Sequence, residues 1–123
     1  PVHGDGHAIR DWLHVEDFAR GILRLTERWE PGSTWHFAGQ QAFSNRDMAA
    51  RVAALCGGAE LQFGPERRGQ DDRYALDDSR TRARLDWAPQ MPLDDGLSAL
   101  IEWSRKSEEN NQANTQTRSV GHR

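Results

Sequence analysis

The chain has 123 residues, of which 36% are hydrophobic and 28% are charged, and its formal net charge is −3. This length corresponds to one domain at most, and the charge balance argues against the basic face that nucleic-acid binding usually needs. Because the sequence has no apolar run of about 18 residues and no signal-peptide pattern, we expect a cytoplasmic protein without a membrane partner. A single cysteine, Cys56, excludes an internal disulfide.

The first half of the chain predicts strands and helices in alternation. After an Asp-Gly turn, residues 9–15 alternate as a strand whose one face carries Arg10 beside Trp12. The spacing of apolar residues then becomes helical, and residues 34–38 form a short β-rich run. A second helix begins at a capping box on Ser44 and ends at a pair of glycines.

The second half predicts two short strands around a charged loop, followed by two helices. These elements are a strand over 60–63, a loop over 64–73, a strand over 74–76, a helix over 78–85 and a helix from Pro92. The order indicates an α/β protein with a small mixed sheet, about four helices and no complete doubly wound unit. We expect residues 1–104 to fold and the polar residues 105–123 to form a disordered tail.

Several catalytic patterns are absent from the sequence. No Gly-x-Gly-x-x-Gly follows a strand, and there is no Walker motif. The only tyrosine, Tyr74, lies far from the only lysine, Lys106, so a Tyr-x-x-x-Lys acid/base pair is excluded. We therefore predict that this chain has no catalytic residue and binds no cofactor by itself.

Two groups of titratable residues have both a chemical and a structural interpretation. His3, Asp5 and His7 have a spacing that could place them on one metal ion, but no further ligand is evident, so we predict exposed turn histidines and no metal site. Glu16 and Asp17 could act as an acid/base pair. Two carboxylates at the start of a helix also stabilise its dipole without any catalytic role.

A more informative group combines arginines with an amide. Arg10 lies on a strand, Asn45 at a helix start, and Arg67 and Arg73 on the charged loop. A diphosphate requires planar bidentate donors from separate segments, and a sugar or base edge requires an amide that both donates and accepts. Alternatively, Asn45 only follows the helix cap, and the arginines pair with Asp11, Asp71 and Asp72. The residue types alone leave both interpretations open.

Four segments in order carry a resemblance to a known family. They are Gly-Asp-Gly-His-Ala-Ile-Arg-Asp-Trp-Leu-His-Val-Glu-Asp at 4–17, Trp-His-Phe-Ala-Gly with Asn-Arg-Asp at 35–47, Arg-Arg-Gly-Gln-Asp-Asp-Arg-Tyr at 67–74, and Leu-Asp-Trp-Ala-Pro at 85–89. Together they resemble the nucleotide-sugar epimerases and dehydratases of the extended short-chain dehydrogenase/reductase family, most closely the dTDP-glucose 4,6-dehydratase branch. The likeness spans residues 1–103.

The resemblance implies that residues 1–104 are the C-terminal substrate-binding lobe of an incomplete Rossmann-type protein. In this family an N-terminal Rossmann domain, missing here, holds NAD and the Tyr-x-x-x-Lys pair, and the complete enzymes are homodimers. The partner would be a nucleotide-diphosphate sugar. At the matching positions Arg10 and Arg67 are diphosphate contacts and Asn45 lies near the nucleotide, with Gln70 and Arg73 as further substrate-binding residues.

Some positions depart from the family pattern. Arg68 replaces a proline, Gln70 a histidine and Asp72 an arginine, which places a negative charge near the phosphates unless Arg68 or Arg73 pairs with it. Whether the chain belongs to an enzyme stays open, because it could also be part of an epimerase or a degenerate, non-enzymatic interaction fragment. By itself it would expose surfaces that normally pack on the Rossmann domain, so we expect it to be inactive and marginally stable or self-associating.

Overall fold

The computed structural model describes the backbone of residues 1–120 and the side chains of residues 1–111. In this part of the chain, short strands and helices alternate as an α/β arrangement. The strands are β1 (Val2–His3), β2 (Ile9–Asp11), β3 (Ala42–Ser44), β4 (Phe63–Gly64) and β5 (Arg73–Tyr74). The helices are α1 (Val15–Glu27), α2 (Asn45–Leu55), α3 (Ser79–Leu85) and α4 (Leu93–Val120).

Strand β2 is the centre of a mixed, three-stranded sheet. It pairs antiparallel with β3, with Arg10 opposite Phe43, and parallel with β5, with Arg10 opposite Tyr74. Strands β1 and β4 form a separate parallel pair, so the Asp-Gly turn joins two strands that do not pair with each other. The predicted mixed sheet and four helices are confirmed. Because β2 has a neighbour on both sides, the backbone that carries Arg10 is held firmly.

The predicted β-rich run at 34–38 is not a strand. Its last residue, Ala38, donates its backbone N–H to an Asp78 carboxylate oxygen at 3.2 Å. The next residue, Gly39, donates its N–H to the Asp11 carboxylate at 3.1 Å. Strand formation requires a neighbouring strand, and here carboxylates distant in sequence bond to the backbone instead. The prediction failed because alternation of residue types does not reveal whether such a neighbour exists.

The apolar core is small, and its main cluster lies between α1 and α3. Leu85 is fully buried, and Phe37 packs edge-on against Phe18 and Trp87 with ring centroids 5.6 and 5.0 Å apart. Trp87 is the only tryptophan classed as buried, whereas Trp103 is 66% exposed. The five tryptophans of the sequence therefore do not build most of the core. A domain of this size has too little interior to cover every large apolar side chain.

A buried carboxylate, that of Asp17, anchors α1 to the segment that follows α3. Its oxygens accept the backbone N–H groups of Gln90 and Met91, both at 3.0 Å, and also the guanidinium of Arg20. The Asp17 carbonyl oxygen accepts the indole N–H of Trp87 at 3.0 Å. Asp17 is 1% exposed, and both its carboxylate oxygens are occupied. These contacts give Asp17 a structural role and argue against the acid/base interpretation of this residue.

Helix α4 extends beyond residue 104, where the sequence predicted the folded region to end. Its backbone is helical to Val120, whereas the sequence predicted a disordered tail from residue 105; residues 121–123 of that tail lie outside the described residues. Glu102 and Lys106 are one helical turn apart and form an ion pair of 2.6 Å across the predicted boundary, a spacing that supports helix formation. Among the described helices, none is long and apolar enough to cross a membrane.

Candidate nucleotide-binding cleft

An open cleft of about 640 Å³ lies where β1, β2 and the start of α2 face the loop between β4 and β5. Trp12 and Met48 contribute apolar surface to it. Its polar and charged lining consists of His3, Arg10, Asn45, Arg67, Arg68, Gln70 and Asp71. Four of the five predicted substrate-binding residues, separated by up to 60 positions, therefore lie around one cavity.

Arg10 and Asn45 enter the cleft from regular secondary structure. Arg10 is half-buried on β2, and its Nη1 donates to the neighbouring Ile9 carbonyl oxygen at 2.7 Å. Asn45 is the first residue of α2, and its backbone N–H donates to the Ala8 carbonyl oxygen at 3.0 Å. The helix cap is made by Ser44, whose Oγ accepts the Asp47 N–H at 3.0 Å. The side-chain amide of Asn45 has no hydrogen-bond partner within residues 1–111, so it is available to a ligand.

Arg67, Arg68 and Gln70 enter the cleft from the irregular loop. The end of this loop is fixed to the sheet, because the Asp72 carbonyl oxygen accepts the Ile9 N–H at 2.8 Å. None of the three side chains forms a hydrogen bond or an ion pair with another described residue. Elsewhere arginines do pair, as in the 2.8 Å contact between Arg82 and Asp78.

The alternative in which the arginines pair with local aspartates does not hold in this structure. The Asp11 carboxylate accepts the backbone N–H groups of Gly39 and Gln41, at 3.1 and 2.9 Å, and so supports the chain beside the cleft. Neither Asp71 nor Asp72 forms an ion pair with any residue whose side chain is described. The guanidinium groups at the cleft are therefore available to bind an anion.

Arg73, the fifth predicted residue, does not line the cleft. It lies on β5 opposite Ile9, is exposed, and has no ion pair in the described part of the chain. The sequence prediction treated it as part of the charged loop, but pairing with β2 begins at this residue. Conversely, His3 and Arg68 line the cleft but were not predicted as binding residues. Arg68 carried a usable signal, since it departs from the family pattern in the middle of a predicted binding loop.

A smaller cavity of about 180 Å³ lies beside the cleft and contains the three residues considered for a metal site. His7 Nδ1 is 2.9 Å from Asp5 Oδ2, and the His7 backbone N–H donates to the other oxygen at 2.9 Å. This backbone hydrogen bond lowers the pKa of Asp5. His3 instead lies 3.3 Å from the Pro65 carbonyl oxygen. No group of three metal-ligating side chains is found among the described residues.

The comparisons with known proteins identify the family. Residues 1–100 match the family model described as GDP-mannose 4,6 dehydratase. The chain belongs to this family. The dTDP-glucose 4,6-dehydratase of Streptomyces griseus is 34% identical over 108 residues, which cover 86% of this chain and 33% of that protein. The chain therefore spans about a third of the length of the curated relatives it matches.

Solved structures of the family show the same fold. DesIV, the dTDP-glucose 4,6-dehydratase of Streptomyces venezuelae solved with NAD and TYD bound, matches with a TM-score of 0.82 and 30% identity over 86% of this chain and 34% of its own. The UDP-glucose 4-epimerase of Thermotoga maritima, solved with UDP-glucose, matches with a TM-score of 0.75 and 26% identity over 86% of this chain and 35% of its own. The resemblance to part of an extended short-chain dehydrogenase/reductase is confirmed.

NAD is bound in the solved DesIV structure, and the described residues of this chain show neither of the two sequence patterns expected for holding it. Tyr74 lies exposed on β5, and Lys106 lies on α4, where its Nζ is 2.6 Å from Glu102 Oε1. These two residues do not form the Tyr-x-x-x-Lys arrangement, and no Gly-x-Gly-x-x-Gly loop precedes a described helix. No step that involves the cofactor is therefore assigned to residues of this chain.

Proposed function

We propose that residues 1–104 are the C-terminal, nucleotide-sugar-binding lobe of an NAD-dependent 4,6-dehydratase whose substrate resembles dTDP-glucose. The lobe would act with a Rossmann domain that holds NAD, in a cytoplasmic homodimer. The observation that supports this proposal is the cleft itself. There the guanidinium groups of Arg10 and Arg67 and the amide of Asn45 line one cavity from three separate segments, and neither arginine forms an ion pair with another described residue.

The chemistry of these side chains matches the parts of a nucleotide sugar. Arg10 and Arg67 would bind the diphosphate with charge-assisted hydrogen bonds, each of which contributes roughly 1.5–3 kcal/mol. Asn45 has both a donor and an acceptor for a base or sugar edge, and Gln70 adds a second amide. Trp12 provides an apolar surface against which a ring can pack.

The dimensions and charge of the cleft favour a small anionic ligand over a macromolecule. Its volume of about 640 Å³ lies within the roughly 300–1,000 Å³ that is usual for small-molecule sites. The chain as a whole carries a net charge of −3, which argues against a broad basic face of the kind that binds nucleic acids. Binding here would hold the sugar in a fixed orientation, which is how a remote site contributes to the reaction of a complete enzyme.

Titration of the full 123-residue chain with dTDP by isothermal calorimetry tests the proposal. We expect saturable binding, weakened about 10- to 100-fold in Arg67→Ala, which corresponds to the loss of one charge-assisted contact. Arg105→Ala is the matched control, because Arg105 lies on α4, does not line the cleft and has no ion pair among described residues. No binding at millimolar dTDP, or equal affinity in Arg67→Ala, would contradict the proposal.

Two alternatives make different predictions in the same titration. The structural similarity to UDP-glucose 4-epimerase supports the alternative that the chain is part of an epimerase. In that case UDP should bind more tightly than dTDP. A second alternative, a non-enzymatic interaction fragment, is supported by the exposed apolar residues Val15, Leu23 and Trp29 on or next to α1. Such a fragment should bind neither nucleotide.

A further inference from the structure

Arg68 has a position that the family pattern does not explain. It lies on the loop between β4 and β5 and lines the cleft together with Arg10 and Arg67. It is exposed and forms no hydrogen bond or ion pair with the rest of the described chain. An arginine that only stabilised the loop would be expected to contact a neighbouring carboxylate or carbonyl group, and this one contacts neither.

The arrangement of charge along the loop makes Arg68 important for an anion. Asp71 lines the cleft and opposes anion binding there, whereas Asp72 lines the neighbouring smaller cavity. Arg10, Arg67 and Arg68 set against Asp71 leave an excess of two positive charges, which equals the charge on the diphosphate of a nucleotide sugar. Without Arg68, Asp71 would offset half of the remaining positive charge, and the cleft would undercompensate the ligand.

We propose that Arg68 is a third anion-binding residue of this cleft, which contacts the diphosphate of the bound nucleotide alongside Arg10 and Arg67. The inference rests on the proposed function, since it assumes a nucleoside diphosphate as the ligand. Asp72, in contrast, lines the smaller neighbouring cavity and not the cleft.

The test measures the affinity of the full chain for dTDP and for inorganic pyrophosphate at several NaCl concentrations. We expect Arg68→Gln to weaken both ligands about tenfold, and the fall of affinity with salt to become shallower because one ion pair is lost. Arg68→Lys should keep the charge but not the bidentate geometry, and so should bind with intermediate affinity. Arg105→Gln removes the same charge away from the cleft and should match the unmodified chain.

The outcomes separate this inference from the proposed function. If the unmodified chain binds dTDP and Arg68→Gln binds it equally well with the same salt dependence, the role of Arg68 is wrong and the proposed function stands. If the unmodified chain binds neither dTDP nor pyrophosphate, both fail. If pyrophosphate binding requires Arg68 but dTDP does not bind, the anion site is correct and the nucleotide assignment is wrong. Circular dichroism of each variant excludes unfolding as the cause.

Discussion

Asp17→Asn is expected to destabilise the fold severely, although it changes only one atom of a side chain. The carboxylate accepts from the backbone N–H groups of Gln90 and Met91 and from Arg20. Asparagine keeps one acceptor oxygen, so its NH₂ group must face at least one of those backbone donors. An unsatisfied buried donor costs about 1–3 kcal/mol. Loss of the charged partner of Arg20, a side chain 39% exposed, adds roughly 0.5 kcal/mol after solvent screening.

The total for Asp17→Asn, about 1.5–3.5 kcal/mol, is a large part of the roughly 5–15 kcal/mol of a typical domain. Urea unfolding followed by tryptophan fluorescence measures it, because the indole of Trp87 is bonded to the Asp17 carbonyl. With a slope of about 1–3 kcal/mol per molar urea, the midpoint should fall by at least about 0.5 M. Glu16→Gln, an exposed charge change in the same helical turn, is the control. Equal midpoints for the two variants would refute the anchoring role of Asp17.

Three further predictions concern the fold around the cleft, the pH dependence and the exposed surface. Gly39→Ala should strongly destabilise the chain and abolish dTDP binding, because an added Cβ would overlap the Trp12 carbonyl beside the cleft; a soluble variant with an unchanged melting temperature would contradict this. The Asp77 carboxylate accepts the Ser79 N–H at 2.9 Å, which lowers the pKa of Asp77 below its ordinary 3.8. The stabilisation from ionised Asp77 should be complete above the pKa that this group has in the unfolded chain, and it should be lost as the pH falls through the lower pKa of the folded chain. NMR titration of the Asp77 carboxyl carbon measures the folded pKa, and a midpoint at or above 3.8 would contradict the prediction. Finally, Val15, Leu23, Trp29 and Trp103 are each more than 60% exposed, so the chain should self-associate in sedimentation velocity at micromolar concentration, and a sharp melting transition of a stable monomer would argue against this.

Local signals in the sequence predicted much of the fold. The Ser44 capping box and the glycine pair place the ends of α2 correctly, because both signals act within one helical turn. Alternation along residues 9–15 placed Arg10 and Trp12 on one face, and both line the cleft. The charged loop was located correctly except at its two end residues, which belong to β4 and β5, since its lack of apolar periodicity is itself a local property.

The failures arise where distant residues decide the outcome. Residues 34–38 have strand composition, but Asp11 and Asp78, distant in sequence, bond to the backbone at the end of the run. The extent of β5 depends on its pairing with β2, which removes Arg73 from the loop and from the cleft. In the sequence, Asp17 has the position of an ordinary first-turn acid that stabilises the helix dipole. Its contact with the Gln90 backbone, 73 residues away, becomes visible only in the structure. None of these long-range contacts leaves a periodic pattern in the sequence.

The donors of the cleft divide between a constrained scaffold and an unconstrained loop. Arg10 lies on a strand paired on both sides, and Asn45 begins a helix and has its backbone N–H hydrogen-bonded to Ala8, so altering their surroundings would disturb regular structure. The side chains of Arg67, Arg68 and Gln70 form no hydrogen bond or ion pair with another described residue. Under the proposed function, substitutions at these few loop positions would change which ligand is preferred while leaving the strand and helix beneath them intact.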